Sequence, residues 1–194
     1  ALDDRVARTR VFCDISGFAR SVLADRIREG ALPRDARVHD DVRTLRWRPE
    51  DGWIDVVGSG SPCQDLSRMG EQRGASGDTR SSLFVEALRY ASECNFGEGA
   101  AWIVWENVSD IANCGLNTFL GEMRERGYTE SRWDVIRAGD LGACHQRARW
   151  FCVCRRDRAL VSERTRARLA RHTALLESVS TVRAEARRYG CDGD

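Results

Sequence analysis

A chain of 194 residues with 42% hydrophobic content is long and apolar enough to bury one core, which excludes an intrinsically disordered polypeptide. Acidic and basic residues nearly cancel to a formal charge of +1, so a surface for a polyanion has to come from local clustering and not from overall charge. All 31 basic residues are arginine, so any phosphate contact uses a guanidinium, which binds in bidentate fashion and keeps its charge.

In chain order, the apolar run at 10–14 predicts a buried strand ending in Asp14, and a helix follows at 17–29. Asp40 and Asp41 have the local composition of an exposed turn. A second strand is predicted at 53–57, opening into Gly58-Ser59-Gly60-Ser61-Pro62-Cys63-Gln64-Asp65-Leu66-Ser67. The stretch 68–79, rich in Gly, Ser, Arg and acids, reads as a mobile surface loop. A helix at 80–95 then places Leu83, Phe84, Ala87, Leu88 and Ala91 on one face. A strand at 101–105 leads into Glu106-Asn107-Val108, a helix spans 114–127, and strands at 133–137 and 150–154 flank Gln146-Arg147-Ala148-Arg149. Trp53, Trp102, Trp105 and Trp133 are expected in the core. From 155 to 188 the chain is Arg-rich with helical spacing of Leu160, Leu169, Leu175 and Leu176, which suits either a solvated helix packed by its leucines or a DNA-facing segment.

Strands that alternate with helices predict an α/β fold with a doubly wound, mostly parallel sheet. Ligands of such sheets bind beyond the carboxyl ends of the strands, where this sequence carries an acid (Asp14), a thiol (Cys63) and a second acid (Glu106). The eight cysteines are scattered and accompany neither a signal peptide nor a long apolar span, which points to a reducing, intracellular setting and argues against a membrane. Most of them are expected to act as small buried apolar residues. Cys152 and Cys154 near His145 lack the loop that separates zinc ligands, so no metal site is expected.

The ordered set Ser61-Pro62-Cys63-Gln64, Arg80-Ser81-Ser82-Leu83-Phe84, Glu106-Asn107-Val108 and Gln146-Arg147-Ala148-Arg149 resembles the DNA cytosine-5 methyltransferase family, in its bacterial and phage modification enzymes as much as in its de novo mammalian branch. Carbon 5 of cytosine is a poor nucleophile, so the ring is first activated by covalent addition at carbon 6, a step suited to a thiolate. The resemblance makes Cys63 that nucleophile, Glu106 the carboxyl at N3 and the exocyclic amine, and Arg149, partnered by Arg147, the cation at O2. It implies S-adenosyl-L-methionine as methyl donor, with Asp14, Ile15, Asp41, Val42, Gly60, Pro62 and Leu83 as cofactor-binding residues. It implies double-stranded DNA as substrate, with Ser61, Gln64, Ser67, Asn107 and Val108 around a cytosine flipped from the duplex.

The family pattern also contains a glycine-rich loop ahead of Ala1 and a target-recognition domain after about residue 155. The expectation is therefore an N-terminally incomplete catalytic core over 1–155 and an Arg-rich helical tail over 156–194, with a second chain or separate segment supplying the missing parts. His145-Gln146 departs from the Pro-Gln of bacterial members and blurs the register before Arg147. Two other readings fit the motifs: a non-catalytic or split module that binds DNA or a partner, and a transfer-RNA cytosine methyltransferase on the same fold. A restriction-modification setting places the chain in the cytoplasm of a prokaryote or phage host, and a eukaryotic one in the nucleus.

Overall fold

The computed structural model describes residues 8–61, 82–109, 111, 116–157, 159 and 162–171. Its first layer is a short parallel pair, β1 (Val11–Cys13) beside β2 (Arg37–His39), joined by helix α1 (Gly17–Arg28). Ser16 caps that helix, its hydroxyl accepting from the Ala19 amide at 3.3 Å, and Arg26 and Arg28 sit in the last turn, where the helix dipole favours positive charge. β2 was not visible in the sequence. It has one aliphatic residue, Val38, and it is held by the ladder to β1 and by an ion pair from Arg37 to Asp51, whose side chain is 4% exposed.

The larger sheet has the order β3-β4-β6-β5, built from β3 (Val56–Ser59), β4 (Trp102–Val108), β5 (Tyr128–Arg137) and β6 (Ala148–Arg156). β3 and β4 run parallel, as do β1 and β2, whereas β6 runs antiparallel to both β4 and β5. The α/β class is as expected, and the antiparallel C-terminal pair follows from the short connection between β5 and β6, too short for a helical crossover. Helices α2 (Ser82–Glu93) and α3 (Leu116–Glu125) lie between strands, and α4 (Glu163–Arg171) follows β6.

β4 is buried along almost its whole length, as expected of a central strand. Ile103 and Trp105 face one side, where Phe84 and Leu88 of α2, Phe119 and Met123 of α3, and Trp150 of β6 close the main core. Its aromatic rings meet edge to face or tilted, Phe119 lying 5.1 Å from Trp150 and 4.5 Å from Phe84. A smaller cluster of Leu45, Ile54, Tyr90, Cys94 and Ala100 is flanked by Val11 of β1 and Val57 of β3, so α2 bridges the two sheets. Among the described residues β1 pairs only with β2 and β3 only with β4.

Two sequence expectations need correction. Trp133 is 43% exposed and not in the core, because it lies on β5, the outer strand of the sheet. The strand expected at 53–57 starts at Val56 instead, since Ile54 is engaged through its backbone by Asn95 and the Trp53 ring lies beneath the Arg164 guanidinium at 4.6 Å. Of the described cysteines, Cys94, Cys152 and Cys154 are buried while Cys13 and Cys144 are exposed. Among the described residues no helix is long and apolar enough to cross a membrane.

Candidate active site

The residues following β1 to β4 gather the candidate site. β4 runs three residues further than its apolar core suggests, so Glu106, Asn107 and Val108 lie within the strand and not beyond it. Antiparallel pairing sets Glu106 opposite Phe151 and Val108 opposite Arg149, which makes Glu106 and Arg149 diagonal neighbours on one face. The Arg149 Nε meets Glu106 Oε1 at 3.0 Å, with the side chains 27% and 41% exposed. A second Arg149 donor reaches the Ala148 carbonyl at 2.7 Å, which steadies the guanidinium. The sequence named both residues but not their contact, since that depends on β6 running antiparallel to β4.

Gly60, just past β3, lies against the same carboxylate: a Cβ built there would stand 3.3 Å from Glu106 Oε2. Next to it, the Ser61 carbonyl accepts a hydrogen bond from Asn107 Nδ2 at 3.1 Å. Asn107 is 8% exposed, and its Oδ1 accepts from the Val108 amide at 2.8 Å. It is thus turned into the protein, whereas Val108 is 38% exposed. Pro62, Cys63, Gln64 and Ser67 lie outside the described residues. Arg147 is exposed at the mouth of β6, its carbonyl accepting from the Ala138 amide. Leu83 is partly buried on α2.

A second group forms beyond β1 and β2. Asp14 is exposed, with Oδ1 accepting from the Ser16 amide at 2.8 Å and its carbonyl from Arg20. Asp41 closes a turn, accepting from the Arg43 amide at 2.9 Å and from the Arg43 guanidinium. That guanidinium holds the Asp41 carboxyl below the usual carboxylate range. The turn expected at 40–41 and the acidic site are therefore one feature. Ile15 is 72% exposed, and Val42 packs on the main core. Partial burial, and then the nearby charges of Asp41, Asp14 and Asp40, push the Cys13 thiol up.

Chemically, the Glu106–Arg149 pair offers an acceptor and a donor side by side at a half-open sheet end. This suits a planar heterocycle with an amine and a carbonyl on one edge. The acidic group beyond β1 and β2 suits a cationic, hydroxyl-bearing ligand, with one Asp14 oxygen already used by Ser16. These are the residues present here that fit S-adenosyl-L-methionine.

Residues 34–184 match the family model described as C-5 cytosine-specific DNA methylase. The chain is 30% identical over 125 residues to the type II methyltransferase M2.BsuMI of Bacillus subtilis, covering 62% of this chain and 30% of that protein. It is 34% identical over 122 residues to the type II methyltransferase M.CviJI of Paramecium bursaria Chlorella virus IL3A, covering 61% of this chain and 31% of that one. Its fold is similar to that of Spodoptera frugiperda DNMT2, with a TM-score of 0.54 at 19% identity over 76% of this chain and 42% of the other. The chain thus spans under a third of the length of these curated relatives.

Proposed function

The chain belongs to the C-5 cytosine-specific DNA methylase family, and from that premise we propose that it is the catalytic core of an enzyme that methylates carbon 5 of cytosine in double-stranded DNA. The observation that carries this reading is the Glu106–Arg149 pair beside Gly60 and Ser61, the stem of the segment that contains Cys63.

In this reading the target cytosine leaves the duplex and enters the site, because its carbons 5 and 6 are out of reach inside the stack. The Cys63 thiolate adds to carbon 6, forming a carbon–sulfur bond and pushing an electron pair toward carbon 5. Glu106, in its protonated form, donates to N3 and accepts from the exocyclic amine, and Arg149 donates to O2, where negative charge develops. Their mutual ion pair gives way to the base, which engages both partners in its place. Arg147 flanks Arg149 on the exposed side, and Ser61, Gln64, Ser67 and Val108 surround the base. S-adenosyl-L-methionine, when bound, supplies the electrophilic methyl group. Asp14 would accept from its ribose hydroxyls, Ile15, Asp41 and Val42 would hold the adenine side, and Gly60, Pro62 and Leu83 would complete the wall. With the methyl group on carbon 5, loss of the carbon-5 proton to solvent water lets the carbon–sulfur bond break, the electron pair returning to the thiolate and freeing Cys63.

We propose further that a separate strand bearing a glycine-rich loop, together with target recognition, comes from another segment or chain. The unpaired edges of β1 and β3 and the exposed Ile15, Phe18 and Val22 at and around α1, which buries none of its residues, support this among the described residues. The division into a core over 1–155 and a tail over 156–194 belongs to the same proposal, as does an intracellular site of action. In the test, the chain is incubated with labelled S-adenosyl-L-methionine and duplex DNA or transfer RNA, with and without such a segment. The expected product is 5-methylcytosine in DNA only, and only with the segment present. Label in transfer RNA would favour the RNA reading, and no transfer under any condition would favour a non-catalytic module. In this proposal the segment supplies two or three hydrogen bonds to the ligand's charged end, each worth about 1.5–3 kcal/mol, so calorimetry should find affinity several powers of ten weaker without it than with it. Micromolar binding by the isolated chain would contradict this.

A further inference from the structure

Asn107 is a polar side chain turned inward at this end of the sheet. It is 8% exposed on a strand whose neighbours Glu106 and Val108 are 41% exposed at the side chain and 38% exposed, respectively. Its Nδ2 donates to the Ser61 carbonyl at 3.1 Å, 46 residues away in sequence, while its Oδ1 is taken by the Val108 amide. The primary amide of Asn provides both functions, and an acid of the same shape provides only the second. Ser61 is two residues before Cys63, and Gly60 is in contact range of Glu106.

We infer that Asn107 is a positioning residue: it ties the Ser61 backbone, two residues before Cys63 in sequence, to the strand that carries Glu106. This rests on the proposed function and replaces the base contact that the family resemblance implies for Asn107. A buried side chain whose donor and acceptor both serve the backbone has little left to offer a substrate. An attacking group gains most of its rate from being held at the right distance, so loosening the stem acts on Cys63 before it acts on DNA affinity.

The test measures alkylation of individual cysteines by iodoacetamide, read by mass spectrometry, in the full 194-residue chain. It compares the parent with Asn107→Ala and with the isosteric Asn107→Asp, which keeps the shape and the acceptor but loses the donor. The expected result is a change of about fivefold or more in the Cys63 rate in both variants, with exposed Cys144 within about twofold and the melting temperature little changed. An unchanged Cys63 rate in either folded variant overturns the inference, and so does a parallel rise at Cys63, Cys144 and the buried Cys94, which marks general loosening.

With the complementing segment supplied, kcat should fall about tenfold while KM for duplex DNA stays within about twofold. A raised KM at constant kcat would return Asn107 to the base. Should the parent transfer no methyl group while the Cys63 rate still responds, the functional reading fails and the tether stands. Should it transfer methyl normally and the Cys63 rate not respond, the tether alone fails.

Discussion

At the end of the sheet where β3 and β4 begin, Asn95 is fully buried and its amide is wholly engaged, donating to the carbonyls of Ile54 and Gly99 and accepting from the Ile54 amide. Tyr128 nearby donates to the carbonyls of Ala91 and Ala100, and Glu98 accepts from Ser162 and Thr165 at the start of α4. Toward the other end, about 13 Å along β4 from Trp102 at about 3.3 Å per residue, Glu106 is partly exposed and meets Arg149. Around Asn95 the hydrogen bonds close internally, and the other end keeps polar groups that a ligand can take over. The contrast teaches where substitutions cost stability and where they cost chemistry.

The sharpest way to break the comparison is Asn95→Ala. It orphans three backbone groups and places Ala at a φ of 61°, so about 3–5 kcal/mol of stability should be lost in denaturant unfolding. A loss below about 1 kcal/mol would mean that this end is not the structural anchor. Glu106→Gln is its counterpart at the other end. It should slow methyl transfer by about 10²–10³ while changing stability by no more than about 1 kcal/mol, since the ion pair it removes is part-exposed. Equal losses in both readouts would erase the distinction.

Smaller effects sharpen the same picture. Hydrogen bonds from Ser162 and Thr165 hold the Glu98 carboxyl below its usual range. A depressed carboxylate contributes stability that is present above its unfolded pKa and lost as pH falls through its folded value. Acidification below about pH 4.5 should therefore lower the melting temperature of the parent more than that of Glu98→Gln, by the equivalent of under about 1 kcal/mol. Smallest of all is the effect expected of Arg164→Gln with Arg166→Gln. Because α4 starts at the end remote from Glu106, with Arg164 lying over Trp53, the salt slope of DNA binding should change by less than about 0.9, the value of one phosphate contact. A larger change would make α4 part of the DNA surface.

Much of this was legible in the sequence. The apolar face of α2 and the near-continuous apolar runs of β4 and β6 declared themselves, because their burial is repeated over many residues. Glu106, Arg149 and Gly60 were named through motif resemblance, and Asp14 and Asp41 likewise. β2 was not legible, because its pairing is non-local and its charged Arg37 is buried only by virtue of Asp51. Trp133 misled because hydrophobicity does not say which strand is outermost. The inward turn of Asn107 was hidden because it depends on where Ser61 falls across 46 residues of chain.

The most direct measurement uses a DNA duplex carrying 5-fluorocytosine, with S-adenosyl-L-methionine and the complementing strand–glycine-loop segment supplied. Fluorine at carbon 5 cannot leave as the proton does, so the carbon–sulfur bond persists. The account predicts a stable complex whose proteolytic digest carries the methylated, fluorinated base on Cys63, and no such complex with Cys63→Ala. An adduct on another cysteine, or one that survives Cys63→Ala, would contradict it.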